Sequence, residues 1–198
     1  DVCSSDLGTK WDYMGEKTVI VTRQHPQGHF TMGVYLVDIY CKGLLHSEYF
    51  FNMNHDDYEM MVKRIDMDED LKKAAYADAH KLVYGAIDFA EAVGIDSEDS
   101  FDITKYILDE KKEEIPFAEF GRNGKHYLRA DTDEEAELYI PIIMEAIGTD
   151  FTYSIEGVTD GEVDAAEVPF GDFDFSELNY DEEEFDKMFE KLNRESQD

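Results

Sequence analysis

The twelve residues from Phe30 to Cys41 are apolar at nearly every position, and no other feature restricts the fold of this chain as strongly. Such a run is typical of a strand with both faces covered. Residues 17–24 are rich in β-branched side chains, and the turn formers Pro26 and Gly28 separate the two segments. The pattern predicts a strand, a turn and then the central strand of a hairpin, with residues 48–51 as a third strand.

Two helices are predicted after these strands. Asn54 is a candidate N-cap for a helix that starts near His55. This helix should turn four apolar side chains inward: Tyr58, Met61, Val62 and Ile65. The helical spacing of apolar residues over 70–93 predicts a longer helix, which Gly94 would end.

The next elements are a short helix and a second hairpin. Ser100 or Asp102 is expected to cap the short helix at its N-terminus. Asn123 and Gly124 then lie between apolar segments at residues 115–120 and 126–128. Because Asn-Gly between apolar runs is a strong hairpin signal, we expect a tight turn there.

A fourth helix and a last strand follow. Thr132 and Glu135 match a capping box, so a helix should run through Ile147 and end at Gly148, with a kink or break at Pro141. Residues 151–155 read as a strand. The sequence thus predicts an α+β fold over residues 1–155: a single domain with a small mixed or antiparallel sheet, two hairpins and about four helices. Residues 156–198 form an acidic, aromatic-rich extension.

The charge of the chain restricts its partners. There are 48 acidic and 18 basic residues, which gives a formal net charge of −30. This charge repels phosphate backbones and anionic membranes, so we expect neither direct nucleic-acid binding nor membrane binding. No apolar stretch reaches the roughly 20 residues that span a bilayer, and a cytoplasmic location is the expectation. Acidity also keeps proteins soluble, which is an alternative explanation for the composition.

Three sequence blocks, at residues 33–43, 84–91 and 119–125, resemble a group of uncharacterised bacterial proteins. The similarity in order and spacing extends over roughly residues 17–150. Members of that group sit beside helical TPR repeats or a Cys-rich SEC-C metal module. The resemblance implies one coherent domain and no particular activity. This chain lacks the Cys cluster of the metal module, so the resemblance implies no zinc site here.

Asp38, Cys41 and His46 are the candidate catalytic residues. An acidic side chain within an apolar strand must be hydrogen-bonded, paired or shifted in pKa when it is buried. Asp38 is therefore either a catalytic carboxylate or a structural residue that caps backbone or pairs with a cation, and the structural role is favoured. On an extended strand Cys41 would point away from Asp38, which indicates a buried, inert thiol unless His46 activates it.

No metal or cofactor site is predicted. His25, His29 and His55, with Asp56 and Asp57, form a mixed set of potential ligands. Their spacing matches no zinc signature, and in so acidic a chain almost every His has acidic neighbours.

The extension at residues 156–198 carries the clearest binding signal. Aromatic and acidic residues alternate over 170–175, and a later apolar stripe has helical spacing. The stripe indicates an amphipathic helix that either packs on its own domain or docks on a basic or hydrophobic protein partner. The candidate partner-binding residues are Phe173, Phe175, Phe185, Met188, Phe189 and Leu192.

Two functions from different classes follow from these features. The first is a non-catalytic acidic module that binds a basic protein, including the narrower case of a nucleic-acid mimic. The second is an enzyme that uses Asp38 with a His or a metal ion. We rank the second lower because no set of residues has a recognisable catalytic spacing.

Overall fold

The computed structural model of the protein describes residues 2–110, 120–157 and 161–166. Its main sheet has five strands: β1 (Val2–Gly8), β2 (Glu16–Gln24), β3 (Phe30–Asp38), β4 (Gly43–Met53) and β5 (Leu71–Ala74). They are paired antiparallel in the order β4-β3-β2-β1-β5. The predicted strand, turn and strand over residues 17–38 are therefore present, and β3 lies between β2 and β4.

Four helices and a smaller sheet complete the described part of the fold. The helices are α1 (His55–Glu69), α2 (Tyr76–Glu91), α3 (Phe101–Leu108) and α4 (Asp133–Ile147). The second sheet consists of β6 (His126–Ala130), β7 (Phe151–Ile155) and β8 (Val163–Asp164), with β6 parallel to β7. The protein is therefore α+β, as predicted. Over the described residues, we find no helix whose length and apolar character suffice for a membrane span.

The main core lies between the large sheet and helices α2 and α3. Gly43 starts β4 against α2 with a positive φ of 74°, and a Cβ there would lie 2.6 Å from the Ala90 side chain. The strand and the helix can approach this closely only at glycine. The buried core side chains are Val19, Val21, Tyr35, Val37, Leu44, Ala79, Val83, Ala86, Ile87, Phe89, Phe101, Ile107, Leu108 and Phe120.

Helix α1 is packed less deeply than predicted. Asn54 caps it by accepting a hydrogen bond from the Asp57 backbone N–H, as expected. Tyr58 stacks on Phe30 with ring centroids 4.3 Å apart, on the sheet face opposite Tyr35. The predicted inward side chains are nevertheless only half-buried, and α1 has no buried residue.

The two strands at one side of the sheet, β1 and β5, were not predicted from the sequence. Residues 71–74, assigned to the start of a long helix, form β5, and α2 begins only at Tyr76. Asp70 has a φ of 49° and ends α1, after which residues 71–74 pair with β1, from Leu71 opposite Gly8 to Ala74 opposite Ser5. The polar segment that forms β1 was not predicted to be a strand at all. Pairing between distant segments overrides local propensity in both cases.

The predicted Asn-Gly turn and the predicted helix that follows Thr132 are both present. Asn123 and Gly124 both have positive φ and close a tight turn between Arg122 and Lys125. Residues 115–119, the predicted first arm of this hairpin, lie outside the described residues. Thr132 caps α4 by accepting a hydrogen bond from the Glu135 N–H, and α4 continues through Pro141 to Ile147.

Candidate functional site

Asp38 is the last residue of β3, and its carboxylate is bonded to the turn that follows. One carboxylate oxygen accepts a hydrogen bond from the Tyr40 N–H and the other from the Lys42 N–H, each at 2.8 Å. The residue is only 4% exposed. Asp38 thus caps the backbone of residues 40–42, which is the structural role that the sequence favoured, and each of its oxygens accepts a backbone hydrogen bond.

Charged neighbours surround Asp38. Burial raises the pKa of Asp38, while the Lys42 cation and the N–H groups of the turn oppose this increase. The Lys42 ammonium forms an ion pair with Glu135 Oε1 at 2.8 Å, and only 10% of the Lys42 side chain is exposed. The second oxygen of Glu135 accepts from the Asp131 N–H at 2.7 Å. Lys42 therefore links the turn after β3 to the start of α4.

A second ion pair lies beside this one. Glu16 opposes Asp38 in the β2–β3 register, and its carboxylate is 3.3 Å from the Arg129 guanidinium on β6. Burial raises the pKa of Glu16, and Arg129 and Lys42 lower it in part. The two pairs connect the large sheet to the second sheet and to α4. The charged side chains of this cluster are therefore paired with one another and hold parts of the fold together.

Cys41 is a fully buried free thiol. Burial raises its pKa well above the usual value, and the charge of Asp38 acts in the same direction. Because the thiolate is the nucleophile, this setting makes the thiol unreactive. The predicted separation of Cys41 from Asp38 on an extended strand was wrong, since β3 ends at Asp38 and residues 39–42 form turns.

His46 lies on β4, away from the buried turn. Its Nε2 atom is 3.3 Å from Glu48 Oε1, and its Nδ1 atom is 3.9 Å from Glu98 Oε1. These are its ion-pair contacts within the described residues, and 46% of the side chain is exposed. The structure therefore places Asp38 and Cys41 at the buried turn, and gives His46 acidic partners on another surface.

His25 and His55, two of the potential metal ligands, contact different side chains. His25 Nε2 contacts the Thr31 hydroxyl at 2.8 Å, and His55 stacks near Phe30 and lies 3.6 Å from Glu59. Within the described ranges, no group of three or more His, Cys, Asp or Glu side chains is placed to hold a metal ion. The six partner-binding candidates, Phe173, Phe175, Phe185, Met188, Phe189 and Leu192, lie outside the described residues.

The structure reveals an exposed apolar surface that was not predicted from the sequence. We define the β4–α3 surface by four side chains that are each more than half exposed: Tyr49, Phe51, Ile103 and Tyr106. Helix α3 contacts β4 through Ser47, whose hydroxyl is 2.5 Å from the Ser100 hydroxyl and 2.8 Å from that of Thr104.

The geometry of the two elements orients Tyr49 and Ile103. Tyr49 lies two residues beyond Ser47 on β4, and therefore on the face that α3 covers. Phe101 on α3 packs against Tyr84 of α2. At 100° per residue, Ile103 then lies on the side of α3 that points away from α2. The two-residue spacing of Tyr49 and Phe51 was the only sequence signal for this surface.

Carboxylates border the β4–α3 surface. Glu98 and Asp99 precede α3, Asp102 is in the first turn of α3, and Glu48 lies next to Tyr49 on β4, with its side chain on the other face of the strand. Asp102 pairs with Lys105, and no Lys or Arg occurs between residues 91 and 102. The surface therefore combines exposed aromatic side chains with negative charge.

These features define an acidic α+β protein with exposed aromatic side chains on β4 and α3 and with the buried carboxylate of Asp38 tied into internal structure. Comparisons of the chain find no matching protein-family model, no matching curated protein and no matching solved structure. The resemblance to uncharacterised bacterial proteins thus stays a prediction from three sequence blocks.

Proposed function

We propose that the protein is a non-catalytic binding module whose acidic surface holds a basic protein partner. The β4–α3 surface carries this proposal, because it exposes apolar and aromatic side chains beside carboxylates at the edge of the sheet. Aromatic side chains are enriched among the anchors of protein interfaces, and bordering charges improve the rate and specificity of association.

In the described ranges, at least ten of the 18 Lys and Arg side chains are already paired with an acid of the same chain. Each of these ion pairs also neutralises one carboxylate, so the net charge of −30 is carried by the remaining acids, and this charge would attract a cationic partner. A nucleic-acid mimic is the narrower form of this proposal and makes the same prediction of salt sensitivity.

The enzyme hypothesis receives less support from the geometry. Both oxygens of Asp38 accept backbone hydrogen bonds, the residue is buried, and Cys41 beside it has a raised pKa. A general base or nucleophile must reach its substrate, and these groups are enclosed by their own turn. A structural role for the buried cluster leaves the exposed acidic surface as the better candidate for function.

The proposal is tested by capture from lysate of the source cell with the immobilised full chain, followed by affinity measurements on each captured protein after purification. We expect a basic partner whose affinity falls by tenfold or more, about 1.4 kcal/mol, between 50 and 300 mM NaCl. The double variant Glu48→Gln/Asp99→Asn should weaken binding more than Glu137→Gln/Glu145→Gln, which removes two exposed carboxylates from α4.

Two results would count against the proposal. One is a partner whose affinity is insensitive to salt. The other is equal weakening by both double variants, which would show that only the total charge matters and not the β4–α3 surface. The full-length variant Phe185→Ser/Phe189→Ser measures separately whether the predicted stripe in the extension adds to binding.

A further inference from the structure

We propose that β4 binds an extended segment of the basic partner as a sixth strand, and that this segment alternates basic and apolar residues. The inference rests on the proposed function and adds the shape and sequence pattern of the partner. Strand addition to a free sheet edge is a common mode of peptide recognition, in which main-chain hydrogen bonds give affinity and alternate side chains give specificity.

The outer edge of β4 has no strand partner among the described residues. β4 is the terminal strand of the sheet and pairs with β3. The register shifts lie near its two ends, so His46 to Phe50 pairs regularly with β3, opposite Leu36 to Met32. Within the described residues, no other backbone segment is hydrogen-bonded to this stretch. The strand also contains no Lys or Pro, residues that commonly block edge pairing.

The two faces of β4 specify the side chains of an added strand. Ser47 and Tyr49 face α3, so residues of the segment on that face would contact Tyr49. His46 and Glu48 point to the opposite face, where Glu48 is 57% exposed. Because cross-strand neighbours interact directly, apolar residues fit the first face and Lys or Arg fits the second.

The same strand disfavours a second copy of this chain as the occupant. Antiparallel pairing of two His46–Phe50 stretches about their centre would place the two Glu48 side chains opposite each other. Like charges in directly opposed positions destabilise a sheet. Each copy also carries a formal charge of −30, which adds long-range repulsion. A basic segment would instead be attracted both by Glu48 and by the net charge of the chain.

The test uses a fluorescein-labelled heptapeptide with Lys and Val at alternate positions, titrated with the full chain and followed by fluorescence anisotropy. Two further peptides are N-methylated on every Lys or on every Val. Alternate N–H groups of a strand point to the same edge, so one methylation pattern blocks pairing with β4 and the other does not. A block peptide of the same composition, with its three Val residues adjacent, controls for charge.

We expect one methylated peptide to bind as the parent does, and the other to lose about tenfold or more in affinity. The exposed substitution Phe51→Ser should weaken binding, whereas Met67→Ser on α1, at an 85% exposed residue, should not. Hydrogen exchange should slow in β4 on addition of the parent peptide and stay unchanged in α4.

Equal binding of all four peptides, with loss at high salt, would refute strand addition and leave the proposed function intact. Absence of binding by the parent peptide at 50 mM NaCl would also refute strand addition, while a basic protein captured from lysate would still support the acidic module. A dimer that sedimentation detects and that Phe51→Ser dissociates would assign the edge to a second copy and overturn the inference.

Discussion

Replacing Asp38 with Asn decides between a structural and a catalytic role for this residue. The two carboxylate oxygens each accept one backbone hydrogen bond at 2.8 Å, from Tyr40 and Lys42. Asparagine has one such oxygen and must turn its NH₂ group toward the other N–H. A buried donor left without its partner costs about 1–3 kcal/mol, and more where the lost acceptor was charged. We therefore expect Asp38→Asn to reduce the free energy of unfolding by about 2–4 kcal/mol.

The assay is urea denaturation followed by circular dichroism. With a slope of about 2 kcal/mol per molar urea, the expected loss lowers the midpoint by about 1–2 M. Asp96→Asn is the matched control, because Asp96 is an exposed residue of the loop between α2 and α3. Exposed substitutions of this kind change stability by less than about 0.5 kcal/mol.

An Asp38→Asn midpoint equal to that of the control would refute the reasoning. The hydrogen bonds to the turn would then contribute little, and the buried carboxylate would need another explanation. The enzyme hypothesis would regain support, and a search for activity lost in the folded Asp38→Asn variant would follow.

Three further predictions concern buried polar groups. Lys42→Met should cost about 3–5 kcal/mol in urea denaturation, because it leaves buried carboxylates without their cation, whereas Lys63→Met, at a 75% exposed residue, should cost below about 1 kcal/mol. Tyr35→Phe should cost about 1–2 kcal/mol by the same assay, since the buried hydroxyl donates to the Thr104 carbonyl at 2.8 Å; an unchanged midpoint would contradict this. Burial lowers the pKa of His126, so the stability contributed by its neutral ring is present above about pH 6.5 and is lost as the pH falls through the lowered pKa. NMR titration should give a value below 6.5, and His126→Phe should reduce the fall in urea midpoint between pH 7.5 and 5.5.

Local signals predicted the elements that depend on local chemistry. Asn54 and Thr132 cap helices as their side chains indicated, because each bonds to an N–H only three residues away. The apolar run that starts at Phe30 forms a strand between two others. The buried acid at position 38 could also be given a structural role from its setting alone, since an uncompensated charge in an apolar strand is costly.

The elements that depend on distant partners were not predictable in the same way. β1 is a polar segment that becomes a strand by pairing with both β2 and β5. The long helical pattern over residues 70–93 hid β5, whose four residues carry too little periodicity to identify a strand. The contact between β4 and the start of α3 joins Ser47 to Ser100, 53 residues apart in the chain, and no spacing in the sequence encodes that contact.

The negative charge and the β4 edge, which is unpaired within the described part of the chain, are explained better together than separately. A regular edge strand without Lys or Pro exposes a protein to pairing with its own copies. Here Glu48 at the middle of the regular stretch, and the net charge of −30, oppose that pairing without covering the backbone. The same charges would attract a cationic segment, so repulsion between copies and attraction of the proposed partner have one electrostatic cause. An acidic surface that served solubility alone would not require exposed aromatic side chains beside the edge, and Tyr49 and Phe51 are both present there.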